Sequence, residues 1–134
     1  PCTLVAGNFF EHVPAGGDAY VLRAVLHAWE DEPCRMILKA VREAMASKAK
    51  LIVVERLMEP PNKGRESKLS DLQMLVVPGG RERTLAEFAS LFVESGFNLD
   101  RVITAGTDHI LECSRRPLNA AHSHNARADE AVLR

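Results

Sequence analysis

The stretch "PCRMILKAVREAMASKAKLIVVERL", residues 33–57, changes its hydrophobic period partway along and thereby sets the fold class. From Pro33, the residues Met36, Ile37, Ala40, Val41, Ala44 and Met45 recur at steps of three and four, with Arg35, Lys39, Arg42 and Glu43 between them. That spacing predicts an amphipathic helix, with proline in the first turn, where its missing N–H is not needed. The run "KLIVVERL", Lys50 to Leu57, is continuous and rich in β-branched residues, as expected of a strand covered on both faces. Upstream, "PAGG" breaks the chain and "DAYVLRAVL", Asp18 to Leu26, reads as another strand. Strand, helix and strand in that order imply a right-handed parallel crossover and an α/β fold.

Working outward, "TLVAGNFF", Thr3 to Phe10, reads as a short buried strand followed by a glycine turn. On the other side, "EPPNKGRES" is a polar loop, and Leu69, Leu72, Met74, Leu75 and Val76 suggest a second helix that "VPGGRER" interrupts. Thr84, with Glu87 three residues on, forms the signature of a capping box, and Gly96 stands where a helix terminates. "LDRVITAG" and "HILECSR" then read as a closing antiparallel strand pair with a turn at Gly106 to Asp108. "PLNAAHSHNARADEAVLR" shows little apolar periodicity, so the organisation expected is one domain over residues 1–116 and a tail over 117–134.

Charge and cysteine content narrow the function classes. Among 134 residues, 17 Lys and Arg stand against 18 Asp and Glu, a formal net charge of −1. No basic surplus exists to neutralise phosphates, so neither nucleic acid nor an acidic membrane is expected as partner. The three cysteines, Cys2, Cys34 and Cys113, are widely spaced and form no CxxC, so reduced, packed thiols and no metal are expected, as suits the cytoplasm. No apolar run approaches the roughly 20 residues that span a bilayer. No GxSxG or P-loop occurs, and "PAGG" and "PGG" read as turns, since neither joins a strand to the helix directly following it.

His27 stands just past the carboxyl end of a predicted parallel strand, where ligands bind in open α/β sheets. An imidazole there can accept a proton near neutrality, or simply end the strand on a backbone carbonyl. Glu55 ends the apolar run "LIVV", and Glu82 lies in "GGRERT". Each could equally be an ordinary solvated acid. Arg23 interrupts an apolar strand, and a guanidinium buried there would need an acceptor.

Together, "GNFF", "DAYVLRAVLHAWEDE", "LIVVERLMEP", "DLQMLVVPGGRERTLAEFASLFVESGF" and the closing strands resemble the C-terminal half of S-adenosylmethionine-dependent O-methyltransferases of the plant caffeic-acid, hydroxyindole and bacterial polyketide types. The likeness covers roughly residues 3–115 in unbroken order. It implies a class I methyltransferase, Rossmann-like sheet, incomplete, ending in an antiparallel pair. It also implies S-adenosyl-L-methionine as methyl donor and a small-molecule hydroxyl, phenolic or polyketide-like, as acceptor. By position, the resemblance makes His27 the base that deprotonates the acceptor, flanked by Glu55 and Glu82, one of which orients its ring. Gly7, Asn8 and Phe9 match the segment that meets the adenine, Arg23 a basic position that helps hold the donor, and Met74 one that encloses the acceptor ring. Two positions depart from the pattern: Asn8 replaces the customary aspartate, and Ala28 replaces the aspartate that follows the histidine. The family's sheet order, 3-2-1-4-5-7-6, would place two further strands and a glycine-rich loop between Thr3–Ala6 and Ala19–Val25. The expectation is therefore a fragment inactive by itself, with "AYVLRAVL" as an open apolar edge that a homo-oligomer or additional chain would cover. A degenerate, non-catalytic binding or oligomerisation module is the alternative; an unrelated hydrolase or nucleotide-binding domain has no motif in its favour.

Overall fold

Four strands form one mixed sheet in the order β1-β2-β4-β3. The computed structural model describes residues 2–60, 63, 65–76 and 80–117; residues 118–134 of the expected tail, and the side chains of several α2 residues, lie outside the described residues. β1 (Ala19–Arg23) leads through a 3₁₀ turn (Leu26–Ala28) into α1 (Asp31–Ala44), which returns the chain to β2 (Lys50–Glu55), parallel to β1. α2 (Arg65–Val76) and α3 (Leu85–Glu94) follow, then the antiparallel pair β3 (Phe97–Ala105) and β4 (Asp108–Arg115), with β4 inserted antiparallel beside β2. The crossover helix and the closing pair are thus where the periodicity puts them. Thr84 caps α3 in a full capping box with Glu87, and Gly96, at φ +82°, takes the left-handed position past its end.

The core lies on one side of the sheet. Leu51 and Val53 of β2 and Leu111 and Cys113 of β4 face Ile37, Leu38 and Val41 of α1 and Phe88 and Phe92 of α3, all buried. β2 alternates accordingly, with Leu51, Val53 and Glu55 buried and Lys50, Ile52 and Val54 half-buried. This corrects the expectation of a strand enclosed on both faces: β2 has two strand neighbours, yet only one of its faces is buried, and Ile52 and Val54 on the other are half-buried. Glu55 is the last residue of the buried row, which fixes the side on which its carboxylate emerges.

Three boundaries also move. Thr3–Ala6 forms no strand; these residues are exposed, with no described strand beside them to satisfy an extended backbone. β1 stops at Arg23 because Ala24 adopts φ +53°, a left-handed conformation uncommon for a residue with a Cβ. The polar loop after β2 is shorter than its composition suggests, since α2 begins at Arg65. The edge prediction agrees with the fold: among the described residues β1 pairs only with β2, and Val21 is 61% exposed. No described helix is long and apolar enough to cross a membrane.

Candidate active site

The left-handed Ala24 turns the chain out of β1 and swings the next backbone N–H groups toward the end of β2. Glu55 meets them there. Its Oε1 accepts from the N–H groups of Val25 at 3.0 Å, Leu26 at 2.8 Å and, more loosely, His27 at 3.4 Å. Its Oε2 lies 2.8 Å from Nδ1 of His27. A carboxylate that is only 2% exposed is tolerable because these donors replace the water it has lost. An ionised carboxylate can only accept, so the proton of this bond sits on Nδ1, and in the neutral ring Nε2 is the free acceptor.

Glu82 comes from a different part of the chain and reaches the same place. His27, Glu55 and Glu82 line one cavity of about 200 Å³, together with Arg23, Ala24, Val54, Arg56 and Asp108. The hydrogen bond that Nδ1–H donates to Glu55 is the main reason the His27 pKa is raised above the ordinary histidine value. The charges of Glu55 and Glu82 add to it, while burial and Arg56 oppose it. The backbone N–H of Glu82 is held by Oδ1 of Asp71 on α2 at 2.8 Å.

Residues that the sequence reading passed over hold this constellation from behind. Gly80 crosses so close to the His27 turn that a Cβ there would stand 2.1 Å from the carbonyl oxygen of His27 and 2.5 Å from the carbonyl carbon of Ala28. Arg83, completely buried, donates to the carbonyls of Leu26 and Trp29 and to Asp31. Arg81 also reaches Asp31, at 3.2 Å. The signal for this lay in "RER": in an extended segment alternate residues face one way, so both arginines share Asp31 while Glu82 faces His27. Cys34 packs beneath the same turn, its thiol 3.3 Å from the Leu26 carbonyl and pushed up to about 11 by burial.

The residues matched to the methyl donor are distributed differently. Gly7 and Phe9 line a second, mostly apolar cavity of about 400 Å³ with Val5, Val13, Tyr20, Leu22 and others, against β1 and α1. Phe9 packs on Phe10, ring centroids 4.8 Å apart, and Phe10 meets Trp29 edge-on at 4.9 Å. Asn8, however, spends its side chain locally, accepting from the N–H of Phe10 and donating to Glu11. Arg23 is not the buried guanidinium expected. At the end of an edge strand its side chain is 71% exposed and only 3.7 Å from Asp108, and it lines the His27 cavity instead. Met74 lies in α2, and its side chain is outside the described residues.

The open, partly parallel α/β sheet, with a carboxylate-held histidine at the carboxyl ends of its parallel strands, is consistent with the class I methyltransferase sheet that the sequence resemblance implies. Comparison with known proteins agrees. The profile of the O-methyltransferase domain matches residues 2–98, and the chain belongs to that family. The phenazine O-methyltransferase PhzM of Lysobacter antibioticus is 43% identical over 118 residues, which cover 87% of this chain and 34% of the relative. The crystal structure of LaPhzM superposes with a TM-score of 0.81 at 43% identity, over 85% of this chain and 35% of that one. NcsB1, an O-methyltransferase from neocarzinostatin biosynthesis solved with S-adenosylmethionine and 2-hydroxy-5-methyl naphthoic acid, superposes at 0.74 and 35% identity, over 83% of this chain and 32% of that one. The chain spans about a third of the length of the relatives it matches.

Proposed function

We propose that the protein serves transfer of a methyl group from S-adenosyl-L-methionine to a hydroxyl of a small molecule, phenolic or polyketide-like, with His27 as general base. The observation that carries this reading is the 2.8 Å contact between Nδ1 of His27 and Glu55, at a cavity that Glu82 also lines. A phenol with a pKa of about 10 is a weak nucleophile near neutrality, and removing its proton as the new bond forms typically contributes about 10²- to 10⁴-fold. Nε2 takes that proton. Glu55 keeps the Nδ1–H tautomer and stabilises the imidazolium that results, and the charge of Glu82 adds to that stabilisation. The donor, when bound, supplies an electrophilic methyl carbon, and in this reading Gly7 and Phe9, which line the apolar cavity, wall its base.

A second reading has its own support. The positions matched to the donor are divided between two cavities, and Asn8 is engaged within its own turn. This favours a chain that binds the donor weakly by itself, either as part of a longer catalytic unit or as a non-catalytic module. The open β1 edge supports assembly with a further strand or a second copy, and the free, mostly buried cysteines suit a reducing compartment such as the cytoplasm. Two measurements separate the readings. Isothermal titration of the chain with S-adenosyl-L-methionine reports a working donor site if binding is micromolar and an incomplete one if none is seen at millimolar ligand. His27→Ala in an active transferase carrying this segment should lower kcat by about 10²-fold or more. Unchanged turnover across pH would reject the base.

A further inference from the structure

We infer that Arg83 is the positioning residue for His27, a fully buried guanidinium that gathers the carbonyl oxygens of the Leu26–Trp29 turn and fixes the direction in which the imidazole presents Nε2. This rests on the reading of His27 as the base, and it concerns a residue that touches neither the imidazole nor the cavity. The turn is held at both ends by opposite charges. On its N–H side, Glu55 collects the donors of Val25 and Leu26. On its C=O side, Arg83 donates to the Leu26 carbonyl at 2.9 Å and the Trp29 carbonyl at 2.8 Å. An anion at the N–H end and a cation at the C=O end match the dipole of a helical turn.

The two charges are mounted on one support. Beyond Glu55, the chain continues from β2 into a parallel bridge between Leu57 and Arg83, closed by the N–H of Met58 donating to the carbonyl of Arg83 at 2.9 Å. The positions of Glu55 and Arg83 are therefore tied to each other by contacts that do not involve the turn. Asp31, the first residue of α1, completes the arrangement by accepting from Arg83 at 2.7 and 3.0 Å, which supplies the negative charge a buried guanidinium requires. A planar fork reaches two carbonyls and a carboxylate at once. A lysine has the same charge at a single point and cannot.

The test is nitrogen-15 NMR of the full chain labelled at histidine, following the tautomer and titration of His27. In the unsubstituted chain the ring should hold its proton on Nδ1 and titrate above about 6.5. Arg83→Lys preserves charge, so simple electrostatics leaves His27 unmoved. Loss of positioning should instead lower its pKa by about half a unit or more and raise the share of the Nε2–H tautomer. A chain that unfolds at lower temperature with His27 unchanged would show Arg83 to be structural only and overturn the inference. If Arg83→Lys does not fold, Asp31→Asn decides by the tautomer alone, because the lost carboxylate charge would itself lower the His27 pKa: a larger share of the Nε2–H tautomer supports the inference and an unchanged share overturns it. The base itself is judged separately, by His27→Ala turnover, so that reading can fail while the NMR response still stands or falls by itself.

Discussion

Substituting Gly80 by alanine tests whether the His27 turn is held where the chemistry needs it. The added Cβ would lie 2.1 Å from the His27 carbonyl oxygen, 2.5 Å from the Ala28 carbonyl carbon and 2.9 Å from the Ala28 Cα. All three are backbone atoms, so no side chain can rotate aside. Relief to an ordinary contact of about 3.4 Å requires the two segments to part by about 1.3 Å. If the His27 turn takes up that movement, its 2.8 Å contact with Glu55 stretches beyond hydrogen-bond range. Overpacking of this kind costs about 1–3 kcal/mol of stability, and a displacement near 1 Å at a reacting group costs about 10²-fold in rate. Gly80→Ala should therefore lower the unfolding temperature by several degrees, move the histidine resonance of His27 toward that of a solvated ring, and reduce kcat by about 10²-fold in an active transferase carrying this segment. A folded variant with undisturbed His27 signals and full turnover would refute the claim that the turn is rigidly backed by Gly80.

Two further outcomes follow from the same geometry. Glu55→Gln preserves an oxygen for the N–H groups of Val25 and Leu26 but turns an amide NH₂ toward Nδ1, which forces the ring proton onto Nε2; kcat should fall by about 10²- to 10⁴-fold with little change in fold, as measured by turnover and circular dichroism. Thiol titration of the native chain should label Cys2 rapidly and leave Cys34 and Cys113 unreacted until unfolding, because both are buried and their thiols are pushed up to about 11 and about 12.

Local pattern carried the parts of the fold that local forces decide. The helical spacing from Pro33 to Met45, the Thr84 capping box and the Gly96 terminator all reappear, since each depends on residues within a turn or two of one another. His27, Glu55 and Glu82 were legible as candidates through strand ends and family likeness, and the structure brings them to one cavity. What failed depended on distant partners. Thr3–Ala6 has strand composition, but a strand needs a neighbour. Arg23 looked buried because its neighbours in sequence are apolar, whereas an edge position gives its side chain to solvent. Nothing in the sequence singled out Arg83, because only the approach of Leu26, Trp29 and Asp31 from far along the chain makes it a core residue. Charge in a short loop says nothing about whether acceptors converge on it.

The pH dependence of single-turnover methyl transfer, in an active transferase carrying this segment, bears most directly on His27 as the base. The base works in its neutral form, so with a pKa raised by Glu55 and Glu82 the rate should climb with pH through one ionisation above the ordinary histidine value of about 6.5. That ionisation should move lower in Glu82→Gln and vanish in His27→Ala. A rate flat across this range, or an ionisation that survives the loss of the imidazole, would contradict the account.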